Sequence, residues 1–386
     1  MHLKTELEMD RRNFLKTTAI GAALAVAPVS FSAVDSATKR TAVPGRLNLS
    51  FEPYELKLRH SFNLARNQRT TTPGVQVRLT CDGITGYGEA SMPPYLGENV
   101  KSVTNFLSKL DLSQFNDPFR IEDIHEYMDS VAPDNRAAKA SVDIALHDLL
   151  GKIMGQPWYK IWGLNPDNCP NTSFTISYDA NPDEMRAKIE ETAPYKVIKV
   201  KMGLDHDKEV VNALRAVRPD VPICVDANQG WNDKEKALEM CHWLAERNCL
   251  FVEQPMDKAN IDDTAWLRER SPLPIIADEF MQRLPDVRRA AQAYDGINIK
   301  LMKSTGLHEA YKMAVLAKSL GMKVMLGCMT ETSCAVTAAA QLAPMVDWAD
   351  LDGNLLIAND IFDGIKIVEG KVTIPDRPGI GIVPVS

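Results

Sequence analysis

Apolar and polar positions alternate along residues 47–65 and 75–90. Alternation of period two marks strands with one buried face. Asp82-Gly83 separates the runs Val75 to Cys81 and Ile84 to Ala90, and an Asp-Gly pair between such runs predicts a tight hairpin. Helical spacing follows over 98–110, 120–131 and 136–154. The last of these stops at Gly155, with Pro157 just beyond. Residues 45–165 therefore read as an α+β unit.

A regular beat begins after residue 166. Short apolar runs at 197–201, 223–228, 250–254, 275–279, 297–300, 324–329 and 348–352 each end in polar residues. Amphipathic stretches lie between them, among them 207–218, 233–247, 285–294, 306–320 and 332–342. The polar ends fall at 201, 226, 253, 278, 300, 328 and 350, so successive ends are 22 to 28 residues apart. That is the chain needed for a strand, a crossover helix and short loops, and strands so joined run parallel. With a further strand at 173–177 there are about eight. A (β/α) barrel over 166–361 is the natural closure of this α/β pattern. Residues 362–386, rich in Gly, Pro and β-branched types, are expected to return to the N-terminal unit.

Composition narrows the function classes. The chain has 386 residues, 45% of them hydrophobic and 25% charged, with a formal net charge of −7. There is no basic stripe, so nucleic acid is not expected as a partner. Seven cysteines at irregular spacing, with no CxxC, argue for reduced thiols packed as small hydrophobes rather than disulfides or a zinc site. At the N-terminus, Arg11-Arg12-Asn13-Phe14-Leu15-Lys16 precedes a mild apolar run from Thr17 to Ala27. This resembles a twin-arginine export signal, so residues 1–40 are expected to be a signal and linker, and the protein periplasmic or exported. The alternative is a tail with a chance Arg pair on a cytoplasmic protein. The run is too short to span a membrane.

The candidate chemistry sits at the strand ends, which form the mouth of such a barrel. Asp226, Glu253 and Asp278 come from three consecutive units. Three converging carboxylates repel unless a cation lies between them, and an all-oxygen set suits a hard divalent ion, with Mg²⁺ the leading choice. Lys201 and Lys300 end strands on either side of the set. Lys199 lies two residues before Lys201 and so on the same face. Lysines flanking the carboxylates in strand order suit removal of a proton from one face and delivery to the other.

Lys199-Val-Lys201, Asp226-Ala-Asn228, Val252-Glu-Gln-Pro255, Ala277-Asp-Glu279 and Asn298-Ile-Lys300 together resemble the enolase superfamily, in its muconate-lactonizing subgroup. The helix segment Asp143-Ile-Ala-Leu-His-Asp148 also resembles that family's capping unit, so the likeness covers residues 45–386. It implies an α+β cap over a modified (β/α)₇β barrel. It further implies abstraction of a proton α to a carboxylate, giving an enediolate held by Mg²⁺; the use of a Lys or His base with Mg²⁺ is known for this superfamily.

Within the subgroup the chain is similar to the dipeptide epimerases. In these, an Asp-x-Asp on the last barrel strand binds the substrate ammonium, which here would be Asp350 and Asp352. By the same resemblance Cys328, Thr330 and Thr175 line the dipeptide site, and Lys199 helps bind the reacting carboxylate. The implied reaction is inversion of the α-carbon of the C-terminal residue by proton transfer between Lys201 and Lys300. The implied substrate is L-Ala-D/L-Glu or a related dipeptide, and because members of the family are often oligomeric, a homo-oligomer is an expectation. Epimerases for Ala-Glu place an arginine in a mobile capping loop, here about 62–73. Arg66 and Arg69 lie there, but neither aligns without a shift of one to three residues, and both also read as solvated loop charges. Rival readings are muconate cycloisomerase, o-succinylbenzoate synthase or N-acylamino acid racemase, none of which needs an ammonium clamp. A non-catalytic exported binding protein on the same barrel is a third kind of reading, and it would have no use for Lys199, Lys201 and Lys300.

Overall fold

The computed structural model describes residues 45–64, 67–92 and 96–385, with side chains at 60–64 and 67–69 left aside. Residues 1–40, expected to be an export signal and linker, lie outside the described residues, as do Arg66 and the Arg69 side chain.

The first sheet is a meander of β1 (Asn48–Leu64), β2 (Asn67–Cys81) and β3 (Ile84–Ser91), paired antiparallel in that order. Asp82 and Gly83 both take positive φ, 47° and 79°, as a two-residue hairpin turn of the primed type requires. The segment 62–73, expected as a loop, is largely strand instead: Phe62 pairs with Arg69 and Leu64 with Asn67. From Asn67 to Thr72 every residue is polar, so the alternation that marks a half-buried strand is missing there although the ladder continues.

Three helices of two turns or more follow: α1 (Val100–Leu107), α2 (Ile121–Val131) and α3 (Arg136–Met154), with a single helical turn at Trp158–Ile161 after them. α3 ends on Gly155 at φ 67°, the left-handed conformation a glycine stop supplies. Every residue of α3 from Ala137 to Gly151 is buried. It lies so close to β3 that a Cβ on Gly88 would stand 1.9 Å from the carbonyl of Ser141. Its buried polar residues must therefore find partners inside the protein.

The second sheet has eight parallel strands in sequence order: β4 (Ser173–Ile176), β5 (Val197–Lys201), β6 (Ile223–Asp226), β7 (Cys249–Glu253), β8 (Ile275–Ala277), β9 (Gly296–Ile299), β10 (Lys323–Gly327) and β11 (Trp348–Asp350). A parallel bridge between Thr172 and Ala349 brings the last strand to the first. Seven helices connect the strands: α4 (Pro182–Glu191), α5 (Asp207–Val217), α6 (Lys234–Ala245), α7 (Ile261–Arg268), α8 (Asp286–Ala290), α9 (Leu307–Ser319) and α10 (Ser333–Ala340). This is a (β/α)₇β barrel. α8 is shorter than its periodicity implied, because Gln292 and Ala293 donate to the carbonyls three residues back and tighten the last turn. The C-terminal segment reaches α3, where Ile380 N donates to Asp148 Oδ1 (3.1 Å). All seven cysteines are free. No helix among the described residues is long and apolar enough to cross a membrane.

Candidate active site

Strand register puts the chemistry in rows. Lys201 pairs with Asp226, and Asp226 with Glu253. One strand repeat lower, Thr175 pairs with Lys199. Asp278 and Lys300 each follow directly on a strand end. Ligand atoms of Asp226, Glu253 and Asp278 lie within 4.8 Å of one another, and all three residues are buried. It is the one such set among the described residues. The backbone turns sharply just after it, with Asn228 at φ 44° and Gln254 at φ 38°. Non-glycine residues held in that region are strained, and such strain collects at functional sites.

The lysines are bound into this set. Lys201 Nζ donates to Asp226 Oδ2 (2.7 Å) and Asn228 Oδ1 (3.1 Å). Lys300 Nζ donates to Asp278 Oδ2 (2.9 Å). Lys199 Nζ lies 3.1 Å from Asp226 Oδ2 and 2.7 Å from Glu253 Oε2, and donates to Asp350 Oδ2 (2.8 Å). The Lys199–Glu253 pair has ion-pair distance without hydrogen-bond angles, so Glu253 Oε2 is buried and accepts no hydrogen bond.

Charge and burial compete at each group. Burial raises Asp226, but Lys201 and Lys199 outweigh it and hold that carboxyl at about 2. Asp278 is likewise held far below its ordinary range, by Lys300 and Lys303 against burial. Glu253 goes the other way, to about 7, through burial and the charge of Asp226. Lys199 is also shifted upward. Burial lowers it, yet Asp350, Glu253 and Asp226 raise it well above its ordinary value. A buried, all-carboxylate donor set, one of whose oxygens accepts no hydrogen bond, fits a hard divalent cation.

Asp350 ends the last strand, whereas Asp352, expected on it, opens the turn that follows, and the two are unequal. Asp350 is occupied: besides Lys199, it accepts from Ser173 Oγ (2.6 Å). Asp352 accepts from the backbone N–H of Thr175 (2.9 Å). Burial and the charge of Asp350 lift Asp352 to about 6. Cys328 Sγ accepts from Gly353 N (3.3 Å), and the carbonyl of Thr330 accepts from Ser91 Oγ (3.2 Å). Both residues are half-buried beside the last strand.

Several residues of the site escaped the sequence reading. Lys303 is fully buried; its Nζ donates to the Asp278 carbonyl (2.6 Å) and carboxylate, and to the Asn298 carbonyl (3.2 Å). Asn298 Nδ2 donates to Glu253 Oε1 (2.7 Å). Gln254 Oε1 accepts from Asp278 N (3.0 Å) and Phe280 N (3.1 Å). Glu279, lifted to about 7 by burial and by Asp278, accepts from Asn228 Nδ2 (3.1 Å). Asn298 was accessible to reasoning, since it stands one strand repeat before Lys300 and so on its face. A separate cavity of about 800 Å³, lined among others by Leu204, Asp207, Trp231 and Met240, touches none of these lysines or carboxylates.

Comparison with known proteins agrees with this geometry. Residues 183–385 match the enolase C-terminal domain-like family, and residues 51–163 match the N-terminal domain of mandelate racemase / muconate lactonizing enzyme. The chain is 56% identical over 383 residues to the L-Ala-D/L-Glu epimerase of Bacteroides thetaiotaomicron, covering 97% of this chain and 100% of that one. It is similar in structure to the substrate-liganded L-Ala-D/L-Glu epimerase of Bacillus subtilis, with TM-score 0.82, 27% identity and coverage of 89% and 99%. It is equally similar to the dipeptide epimerase of Cytophaga hutchinsonii complexed with Mg and D-Ala-L-Val, with TM-score 0.82, 28% identity and coverage of 89% and 96%. A buried carboxylate set flanked by lysines at the mouth of a capped (β/α)₇β barrel, together with family matches over both parts of the chain, places this protein in the enolase superfamily, among the mandelate racemase and muconate lactonizing enzymes.

Proposed function

We propose that the protein is a dipeptide epimerase that inverts the α-carbon of the C-terminal residue, with L-Ala-D/L-Glu or a related dipeptide as substrate. The observation that carries the reading is the carboxylate set flanked by Lys201 and Lys300, with Asp350 at the end of the last strand and Asp352 just past it. The 56% identity to an L-Ala-D/L-Glu epimerase supports the same substrate class.

In this reading Asp226, Glu253 and Asp278 hold Mg²⁺. When bound, that ion supplies the positive charge that makes an α-proton beside a carboxylate removable. Lys201 and Lys300 do the proton work. One, as the amine, takes the α-proton and leaves the electron pair on the substrate as an enediolate. The other, as the ammonium, returns a proton to the opposite face. Lys199 stays charged, as its carboxylate neighbours favour, and meets the reacting carboxylate. Asp350 and Asp352 receive the substrate ammonium by charge-assisted hydrogen bonds. Asp352 has the freer role, because Asp350 is already engaged by Lys199 and Ser173. Thr175, Cys328 and Thr330 line the dipeptide site, and Arg66 or Arg69 meets an acidic side chain. Residues 1–40 direct export, so murein peptides carrying Ala-Glu linkages are the natural supply.

The test is incubation with a dipeptide library and Mg²⁺, with chiral chromatography of the products. Interconversion of L-Ala-L-Glu and L-Ala-D-Glu that stops on chelation is expected. Turnover of an N-acylamino acid with no dipeptide epimerised would overturn the reading.

A further inference from the structure

Asp143, on α3 of the cap, is fully buried and reaches across to the barrel. Its Oδ2 accepts from the backbone N–H of Leu307 (2.5 Å) and His308 (3.4 Å), the first residues of α9. α9 begins after Gly306, which has no side chain to cap it. The cap therefore supplies the carboxylate that a helix N-terminus favours. A Cβ on Gly306 would stand 2.1 Å from Asp143 Oδ2, and Gly306 adopts φ 111°, so the approach requires glycine. On its other side, Asp143 Oδ1 accepts from His125 Nε2 (2.7 Å) and lies 3.2 Å from His147 Nδ1.

The segment that Asp143 grips begins at Lys300. It is wound tightly: Lys303 N and Ser304 N donate to the Lys300 carbonyl (2.9 and 3.1 Å), and Gly306 N donates to that of Leu301 (3.0 Å). Thr305 takes φ 59°. The turn has Lys300 at one end and the Asp143 clamp at the other. Lys201 is supported differently. Its following loop is held by its own Asp207, which accepts from Gly203 N and Leu204 N (3.0 Å each). So one base is braced by the cap and the other by the barrel itself.

We propose that Asp143 is a positioning residue for Lys300 and not for Lys201, so that its loss weakens proton transfer on one face of the substrate more than on the other. The assignment rests on the epimerase reading. Lys300 takes the α-proton of one epimer as an amine, and returns a proton to that face as the ammonium; Lys201 serves the other face.

The experiment uses full-length protein with Mg²⁺ in D₂O, given L-Ala-L-Glu and L-Ala-D-Glu separately. It reads α-deuterium in the recovered starting epimer. Lys300→Ala identifies the epimer that Lys201 deprotonates. Asp143→Ala is expected to lower exchange of the other epimer roughly ten-fold or more, the scale of a displaced catalytic group. Exchange of the Lys201 epimer should stay within about two-fold of wild type on the same reasoning. Asp143→Asn, which keeps an acceptor for Leu307, should recover part of the loss. If Asp143→Ala does not fold, Asp143→Asn and His125→Phe are read by the same ratio. A one-sided fall supports the assignment; an equal fall for both epimers, or none, overturns it. Wild-type protein that exchanges neither epimer overturns the epimerase reading and this assignment with it.

Discussion

Burial and the nearby Asp350 carboxylate lift Asp352 to about 6. A raised value means that the carboxylate takes up its proton below about pH 6, and a neutral acid is a poor partner for an ammonium. The sign follows: kcat/KM for a dipeptide should rise with pH through about 6, as Asp352 ionises. Asp352→Asn should remove that rise and raise KM, while Mg²⁺ affinity measured by calorimetry stays close to wild type. An unchanged acid limb in the variant would assign the limb to another group. At this scale the sequence is informative about residues that sit on strand ends with the right parity. It is silent on Lys303, which reaches Asp278 from a tight turn three residues past Lys300. It is equally silent on which of Asp350 and Asp352 is already engaged, because Ser173 lies 177 residues from Asp350.

At the scale of elements, β7 and β8 are joined by one side chain. Gln254 follows Glu253 in the chain, and its Oε1 accepts from Asp278 N, so it fixes two carboxylates of the set relative to each other. Its Nε2 donates to Met256 O (2.9 Å) and Tyr294 Oη (3.0 Å), which leaves it no rotational freedom. Gln254→Ala should weaken Mg²⁺ binding by roughly ten-fold or more, as loss of a ligand-orienting partner does. Equal affinity by calorimetry would show that the loops hold themselves. The strand beat was legible because each unit repeats the same burial problem, an apolar run ending in polar residues. α4 and α7 were harder to read, being short and largely polar on their outer faces. Yet Asn181, whose side chain accepts from Asp183 N, and Pro182 at the first helical turn mark the start of α4. Gly155→Ala should lower stability by about 1–2 kcal/mol in urea unfolding, since the stop of α3 needs a left-handed residue.

In the whole molecule, the cap and barrel meet through buried carboxylates that no local pattern reveals. Glu89 on β3 accepts from Thr332 N (2.9 Å) and Ala335 N (3.3 Å) at the start of α10, across more than 240 residues of chain. Asp143 does the same for α9. Next to Glu89 lies Glu331, lifted to about 8 by burial and by the charge of Glu89. Its ordinary value is 4.5, so between these pH values the folded protein keeps a proton that the unfolded chain has released. Stability should therefore fall as pH rises through that window, by at most about 1.4 kcal/mol per pH unit for this group. Glu331→Gln should flatten the slope of urea-unfolding free energy between pH 5.5 and 7.5; an unchanged slope would place the proton elsewhere.

In the proposed reaction Lys201 and Lys300 serve opposite faces of one α-carbon. The direct measurement is α-deuterium incorporation into each epimer of Ala-Glu by Lys201→Ala and Lys300→Ala, with Mg²⁺ in D₂O. The expected result is loss of epimerisation in both variants, with exchange retained for one epimer in the first and for the opposite epimer in the second. Retention of full epimerisation by both variants would rule out a two-lysine proton transfer.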